Sequence, residues 1–374
     1  MDSLRRKLSL VLRDDRHEVF MPSNNLQNIL KILHRQPSSQ VALCKQLNLS
    51  KAQINKLTSN LLEAKLIDKH EDTDYKSNLG RPRQILKISD NMQYCTVLIV
   101  HTLSDFSAHV FVYGHKKELA STPLPHVKSA KEFARTIDIA IDTLTKNCFI
   151  NRALIKSIVI ATHATVEQGE TGIMYRNNNL DDVNIMLGQI VYKQTKIRTF
   201  IYNFAYGTLL KLKNTPEIDT ENALVINNGE GSVALGIFLN GDIQLGKNNS
   251  FPECSHLPYP HGFEKSLGVF GEHTEDALFF AISVMAPIYN LSNVIITGNC
   301  FKEHLDTLER VKDKLKEQRD PRLHNIELSY RRITLKDCLE EMIYLSFDTL
   351  VDVLNPQMTK QNLQTIVSKI KYTN

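Results

Sequence analysis

The first ninety residues alternate between stretches with apolar residues at helical spacing and short polar breaks. Three such stretches precede a strand-like alternating stretch at Gln84–Ile88, so the pattern predicts three helices followed by a β-hairpin. The first helix is predicted over Asn24–Arg35 and ends before Pro37, and Ser38 or Ser39 is placed to cap the second. The three apolar faces comprise Leu26, Ile29, Leu30 and Leu33, then Val41, Leu43, Cys44 and Leu47, then Ile54, Leu57, Leu61 and Leu62.

The third helix has the features of a helix that reads DNA. A break at Asn48–Leu49 separates it from the shorter second helix, and Ser50 stands at the N-cap position. A short helix, a tight turn, a longer helix and a hairpin make a winged helix-turn-helix, whose longer helix presents its N-terminal residues to base edges in the major groove. The candidate DNA-binding residues here are Ser50, Lys51, Gln53, Asn55 and Lys56. The two amides can pair bidentately with adenine, and the lysines can reach phosphate or guanine.

The loop of the predicted hairpin is polar from Asp68 to Asn78 and closes on Leu79–Gly80–Arg81–Pro82–Arg83. Arginines at the tip of such a wing suit a narrow minor groove or the phosphate backbone. Arg81 and Arg83 are therefore also candidate DNA-binding residues. A winged helix that binds protein instead of DNA remains the alternative.

Beyond Ser89, strand-like and helical segments alternate, which predicts an α/β body. The predicted strands are Tyr94–Val100, His109–Tyr113, Leu119–Ser121, Ile155–Ala161, Ala223–Ile226, Val233–Leu239 and Asn293–Thr297. The predicted helices are Ala130–Thr145, Glu275–Tyr289, Leu305–Gln318, Leu335–Val353 and Thr359–Lys371. We expect residues 1–90 to form the winged helix-turn-helix, 91–220 a first lobe, and 221–374 a second lobe with the C-terminal helices.

Charge is distributed unevenly along the 374 residues. The chain has a net charge of +4, but residues 1–90 hold 16 basic and 10 acidic residues, which leaves the remainder slightly acidic. A polyanion would therefore bind the first domain. Neither a secretory signal nor an apolar run long enough to span a bilayer is present. The six scattered cysteines fit reduced thiols, so a cytoplasmic protein without membrane contact is expected.

The order of these head segments resembles the repressor branch of the ROK family, which joins repressors, open reading frames and sugar kinases. The xylose and N-acetylglucosamine repressors are typical members. Their heads carry an LS-x-x-x-V recognition helix and an S-G-R-P wing, and Leu49–Ser50 and Gly80–Arg81–Pro82 stand at the matching places. The resemblance implies a two-lobed, ribonuclease-H-like (actin-like) body. It also implies C-terminal helices that pack back near the head.

The catalytic motifs of ROK kinases are eroded in this body. Their first phosphate loop reads D-x-G-x-T, whereas the stretch after the first strand here is His101–Thr102–Leu103–Ser104–Asp105. Their catalytic motif resembles N-D-A-N, and the matching stretch is Asn203–Phe204–Ala205–Tyr206. Phenylalanine has no proton acceptor, so Phe204 removes the general base for phosphoryl transfer. We therefore expect no enzymatic activity; an active or vestigial sugar kinase is the alternative.

The remaining ligand motifs are mixed. Asn228–Gly229–Glu230–Gly231–Ser232 resembles the family's second phosphate loop, but Glu230 would repel phosphate. Pro252–Glu253–Cys254–Ser255–His256 keeps the Glu and His of the G-E-x-G-H motif, while the cysteine-rich zinc knot that follows it in the family is absent. Cys254, His256, His261 and His273 match no strong metal spacing, so neither a metal nor a cofactor is expected. The resemblance implies an effector site formed by Asn179, Asn203, Glu253 and His256.

Together these features predict a transcriptional regulator, expected to repress sugar-utilisation genes. It would bind a double-stranded DNA operator as a homodimer or homotetramer, since two heads related by a two-fold axis match two half-sites. The expected effector is a sugar or a sugar phosphate. A scaffold that responds only to a protein partner is the remaining alternative.

Overall fold

A computed structural model describes residues 24–63, 65–71, 84–90, 92, 94–102, 105–113, 117–170, 172–176, 180–229, 232–254 and 257–354. Within these ranges the chain forms a small helical head and two α/β lobes. The predicted helix over Thr359–Lys371 lies outside the described residues. None of the helices in the described ranges is long and apolar enough to cross a membrane.

The head consists of three helices and a two-stranded antiparallel sheet. The helices are α1 (Asn24–Arg35), α2 (Gln40–Leu47) and α3 (Lys51–Glu63), and the strands are β1 (Ile67–Glu71) and β2 (Gln84–Ile88). Ser39 caps α2, because its hydroxyl accepts the Ala42 N–H at 3.2 Å. Ser38 extends the small sheet through two backbone hydrogen bonds to Leu86. The winged helix-turn-helix predicted from the spacing is therefore present.

One predicted core position of α2 is wrong. Val41 is 60% exposed, whereas Leu43 is fully buried. The buried side of this short helix passes through Gln40, Leu43, Cys44 and Leu47, which are three or four residues apart. Gln40 occupies this side because its Nε2 donates to the Thr58 hydroxyl of α3 at 2.7 Å, which turns Val41 outward.

The first lobe is a five-stranded sheet in the order β10-β6-β3-β4-β5. The strands are β3 (Cys95–His101), β4 (Phe106–Val112), β5 (Lys117–Pro123), β6 (Ile155–Thr162) and β10 (Arg198–Asn203). β4 is antiparallel to β3 and β5, while β6 is parallel to β3 and β10. Helices α4 (Ala130–Asn147) and α5 (Leu187–Thr195) cover one face. A small antiparallel sheet adjoins this lobe: β7 (Thr165–Glu167), β8 (Ile173–Arg176) and β9 (Ile185–Met186).

The second lobe repeats this topology in a sheet of order β13-β12-β11-β14-β15. Its strands are β11 (Asn222–Gly229), β12 (Ser232–Leu239), β13 (Asp242–Ile243), β14 (Asn293–Thr297) and β15 (Glu327–Tyr330). Its helices are α7 (Phe263–Gly268), α8 (Thr274–Tyr289), α9 (Leu305–Lys316) and α10 (Pro321–His324). Strand order and direction match the first lobe, with three antiparallel strands followed by two parallel ones. This duplicated arrangement is the two-lobed, ribonuclease-H-like body expected from the sequence.

Two further helices join the parts of the molecule. α6 (Ala205–Lys213) follows β10, and its Leu209 and Leu212 pack against the second sheet. α11 (Leu335–Leu354) follows the second lobe in sequence but covers the face of the first sheet opposite α4 and α5. The sequence placed this helix in the second lobe; its apolar residues instead share a core with α1 and with strands β3, β4, β6 and β10. The head is therefore packed against the body through α11.

Candidate nucleic-acid interface and interlobe cleft

The third helix presents its predicted DNA-binding residues to solvent. Ser50, Lys51, Gln53, Asn55 and Lys56 are all exposed, while the other side of α3 is buried in the head core. No side-chain hydrogen bond or ion pair holds Lys51, Asn55 or Lys56 within the described part of the chain. Their exposure agrees with the predicted outer side of this helix, and their contacts with DNA stay a prediction.

Ser50 and Gln53 form a reciprocal cap at the start of α3. The Gln53 N–H donates to Ser50 Oγ at 3.3 Å. In return, Gln53 Oε1 accepts the Ser50 N–H at 2.9 Å and the Ser50 hydroxyl at 2.9 Å. This is a capping box, in which a glutamine replaces the more usual glutamate. The sequence pattern assigns Gln53 to base contacts. The S-x-x-Q spacing of Ser50 and Gln53 is the signal in the sequence that indicates this cap instead.

The wing is described only at its base. β1 and β2 pair in register from Ile67 with Ile88 to Glu71 with Gln84. Lys69, His70 and Glu71 are exposed on β1. Arg81 and Arg83, the predicted wing contacts, lie outside the described residues.

In the first lobe, the predicted effector region lies at the carboxyl edge of the sheet. The last residues of the three parallel strands, His101, Thr162 and Asn203, are neighbours in register. His101 is 2% exposed and its ring lies 5.0 Å from both Phe106 and Phe133, centroid to centroid. Burial, with a smaller contribution from nearby histidines, lowers the pKa of His101 to about 4. A neutral, ring-packed histidine thus stands at the position that the sequence aligns with the acid of the D-x-G-x-T loop.

The turn after His101 is closed by its own bonds. The Thr102 N–H donates to the Asp105 carbonyl at 2.8 Å, and Thr102 Oγ1 accepts the Asp105 N–H at 3.0 Å. Ser107 Oγ donates to the Asp105 carboxylate at 3.2 Å. Thr102 is therefore a turn residue; Leu103 and Ser104 lie outside the described residues.

Asn203 and Phe204, which the sequence aligns with the N-D-A-N motif, have structural partners. Asn203 Nδ2 donates to the Ala164 carbonyl at 3.0 Å, and its Oδ1 accepts the Ala205 N–H at 2.9 Å. Phe204 is 5% exposed, and its ring meets His163 edge-on at 5.4 Å between centroids. Phe204 therefore contributes to the core and offers no proton acceptor.

Residues of both lobes meet beside this edge. Thr165 Oγ1 donates to Glu253 Oε2 at 2.6 Å, and Asn248 Nδ2 donates to Glu167 Oε1 at 3.2 Å. The backbone adds a bond from the Phe251 N–H to the Val166 carbonyl at 3.2 Å. Asn203 and Glu253 are thus brought to one cleft, since their partners Ala164 and Thr165 are adjacent. Asn179 and His256, the other predicted effector residues, lie outside the described residues.

A buried glutamine that was not predicted from the sequence also belongs to this cleft. Gln168 is 3% exposed, and its Oε1 accepts the Asn203 N–H at 3.0 Å. Its buried Nε2 has no partner among the residues that the structure describes. Nothing in the local sequence marks Gln168, because its position depends on how the β7 segment folds over the end of β10.

β11 and β12 pair as a hairpin as far as Gly229 and Ser232. Glu230 and Gly231, from the motif that resembles the second phosphate loop, lie outside the described residues. Within the hairpin, Asn228 is fully buried and donates from Nδ2 to the Leu267 carbonyl at 2.7 Å. Gly298, at the end of β14, approaches the Asn228 backbone so closely that a Cβ there would lie 1.5 Å from the Asn228 carbonyl oxygen. Asn228 thus holds the hairpin against α7.

Potential metal ligands in the second lobe serve other roles where they are described. Cys254 is 4% exposed, and burial, aided by the nearby Glu253 carboxylate, raises the pKa of its thiol to about 12. His261 and His273 stack in parallel with ring centroids 3.9 Å apart. Cys254 is thus a member of the second lobe's core, where its thiol donates to the Val233 carbonyl at 3.7 Å.

The joint between head and body is a second candidate functional region, and it agrees with the expectation that C-terminal helices pack back near the head. Lys31 Nζ lies 3.0 Å from Asp352 Oδ1, and Arg35 Nη1 lies 3.1 Å from Glu341 Oε2. Gln27 Nε2 also donates to Asp352 at 3.2 Å. The spacing of Gln27, Lys31 and Arg35 places them on one side of α1, so this polar side pairs with the acidic side of α11. We name these contacts the α1–α11 joint.

Comparison with known proteins places this architecture among ROK structures. No family model matches the chain, and no curated protein sequence matches it. A ROK family transcriptional regulator, a homologue of Escherichia coli Mlc, is similar over 89% of this chain and 98% of its own, with a TM-score of 0.66 and 16% identity. A Listeria monocytogenes protein assigned as an N-acetylmannosamine kinase is similar over 68% of this chain and 99% of its own, with a TM-score of 0.51 and 11% identity.

These likenesses confirm the predicted fold. The body, residues 91–374, makes up about three quarters of the chain, so a likeness over 89% to the regulator also includes part of the head. At such identities the comparison establishes a shared architecture of head and two lobes.

Proposed function

We propose that this chain is a DNA-binding transcriptional regulator whose ROK-like body does not phosphorylate sugar. The observation that carries the proposal is α3, which is capped, packed on one side against the head core, and exposed at Lys51, Gln53, Asn55 and Lys56. The likeness to a regulator with the same head and body supports it. Repression of sugar-utilisation genes, and action as a homodimer or homotetramer, follow from the resemblance to the repressor branch.

Loss of charge from α3 is expected to weaken DNA binding without unfolding the head. Lys51 and Lys56 are exposed, so their replacement by alanine in a double variant removes two phosphate contacts and no buried group. We expect the magnitude of the slope of log K against log salt to fall by about 2. Genome-wide mapping of bound DNA would first identify operators, and fluorescence anisotropy across salt concentrations would then measure the slope.

A double variant of Lys131 and Lys193 to alanine is the matched control. Both lysines are exposed on helices of the first lobe, so it changes the net charge equally while leaving the head intact. Equal slopes for the wild type and the α3 variant would contradict the assignment of DNA binding to this helix.

The body is expected to show no hexose-dependent ATP turnover. Phe204 occupies the catalytic position as a buried ring, and the neighbouring Asn203 amide is held by Ala164 and Ala205. Phe204 offers no proton acceptor at the position aligned with the catalytic acid of ROK kinases, so their general-base route for phosphoryl transfer is unavailable. A coupled assay with pure protein and a panel of hexoses measures this directly. Turnover that increases with both enzyme and hexose concentration would favour the kinase alternative.

We further propose the interlobe cleft as the effector site, with Asn203 and Glu253 as described members and Asn179 and His256 as the others. The polar groups of the cleft, including Gln168, suit a neutral, hydroxyl-rich ligand, and Glu253 disfavours an anionic group beside it. Thermal shift with sugars and sugar phosphates tests this, since a ligand at 100 times its Kd adds about 2.7 kcal/mol. Unchanged melting across the panel would favour the scaffold that responds to a protein partner.

A further inference from the structure

The amide side chains of Gln53 and Asn55, near the N-terminus of α3, lie on different sides of the helix. Residues two positions apart in an α-helix do not face each other, so Gln53 and Asn55 cannot both face the floor of one groove. Each of them has one buried neighbour at helical spacing, Thr58 for Asn55 and Leu57 for Gln53, and their other neighbours at this spacing within α3 are exposed.

The two amides also differ in their hydrogen bonds. Gln53 Oε1 accepts two hydrogen bonds from Ser50, both at 2.9 Å. A bidentate contact with adenine uses the amide oxygen and nitrogen together, so Gln53 would have to give up both cap bonds to make it. Asn55 has no such cost, because its side-chain amide makes no hydrogen bond within the described part of the chain.

On the basis of the proposed DNA binding, we infer that Asn55 determines base preference on α3. Gln53 is instead a positioning residue, which fixes the first turn of the helix through Ser50. Asn55 would read an adenine in the major groove, with Lys51 one turn before it on the phosphate backbone. The Gln53 cap sets where α3 begins and therefore where Lys51 and Asn55 stand relative to the DNA.

Gln53→Glu separates the two roles, because glutamate retains the capping box but changes base recognition. A glutamate that replaced a base-reading glutamine would favour cytosine in place of adenine. In vitro selection from a random DNA library, with the full chain, would give base preferences for the wild type, Q53E, Q53A and N55A. Hydrogen exchange at Ser50–Ile54 would report on the first turn of α3 in the same four proteins.

We expect N55A to lose preference at one base pair per half-site by about ten- to a hundredfold, with the other positions unchanged. Q53E should retain the wild-type pattern of preferences and slow exchange at the first turn, despite weaker overall affinity from its added negative charge. Q53A should exchange faster there and bind all sequences more weakly, also with the wild-type pattern.

A preference shifted toward cytosine in Q53E, or a full wild-type pattern in N55A, would overturn the inference while leaving DNA binding intact. A wild-type chain that enriches no sequence would overturn the proposed function, and the inference with it. The two failures are distinguishable. Failure of the proposed function appears already in the selection with the wild type, whereas failure of the inference appears only in the variants.

Discussion

Gly298→Ala is expected to destabilise the second lobe by about 4 kcal/mol or more, among the largest effects that a single methyl group produces. Gly298 has a φ of +98°, which an alanine adopts only with strain. Its Cβ would also lie 1.5 Å from the carbonyl oxygen and 2.5 Å from the carbonyl carbon of Asn228. These are backbone atoms of a central strand, so β11 and β14 would have to separate. Urea unfolding monitored by circular dichroism measures the loss.

Substitutions at two other glycines separate the destabilisation caused by backbone strain from that caused by steric overlap. Gly241 has a φ of +75°, but a methyl group there would meet no atom within 4 Å, so Gly241→Ala should cost only about 1–2 kcal/mol of backbone strain. Gly271 has neither a positive φ nor a close neighbour, so Gly271→Ala should be near neutral. A Gly298→Ala variant as stable as Gly241→Ala would show that β11 and β14 can separate at little cost.

The sequence predicted elements well where a single pattern governs them. Asn24–Arg35 and Asn293–Thr297 were predicted at their observed bounds, because apolar spacing and flanking breakers agree there. The small sheet formed by β7, β8 and β9 was not predicted, since its strands have two to four residues. Such short strands carry too little periodicity to be recognised before their neighbours are known.

The candidate sites differ in the same way, because some follow from the pattern of one helix and others depend on packing between elements. The exposure of Lys51, Asn55 and Lys56 followed from one helix's own periodicity. Gln168 became evident only in three dimensions, because it is positioned by the packing of β7 over β10. The joint required the position of α11, whose apolar residues match any buried sheet face equally well. Periodicity shows that a helix is buried, but it does not show which sheet buries it.

The α1–α11 joint connects the proposed effector site with the head. α11 packs on β3 and β6, and it contacts α1 at its other side. Thr162 at the end of β6 is the neighbour in register of Asn203, and both border the interlobe cleft. The ring of His34 lies between Tyr113 and Phe347, at 4.7 and 3.9 Å between centroids. Any change in the position of α11 would therefore be transmitted to α1, which is the physical requirement for coupling head spacing to the body.

Replacing Asp348 should strengthen this joint and change its dependence on pH. Burial raises the pKa of Asp348 to about 6, from an ordinary value of 3.8, with Asp352 and Glu341 adding to the rise and Lys31 and Arg35 opposing it. The phenols of Tyr113, Tyr202 and Tyr206 also lie within electrostatic range of this carboxylate. Two cations of α1 thus face three carboxylates of α11, and Asp348 is the one that is costly to ionise.

The sign of the effect follows from proton binding. Between about pH 4 and pH 6 the folded protein binds more protons at Asp348 than the unfolded chain does, so this group's contribution to stability is full below pH 3.8 and is lost as the pH rises through about 6. Asp348→Asn removes the ionisation, and it should stabilise the protein at pH 7–8 by about 2–3 kcal/mol relative to wild type. The advantage should shrink toward zero near pH 4. Urea midpoints for both proteins across this pH range measure the difference.

Asp352→Asn is the matched control, one turn further along α11. Asp352 is 46% exposed in its side chain and pairs with Lys31 at 3.0 Å, so its loss should cost at most about 1 kcal/mol at neutral pH. The two substitutions remove the same charge from the same helix and should change stability in opposite directions. If both destabilise the protein at pH 7, the Asp348 carboxylate is well accommodated by Lys31 and Arg35. If only Asp348→Asn stabilises it, the ionised Asp348 carboxylate weakens the native α1–α11 joint. The head is then free to change its spacing at a small cost in free energy.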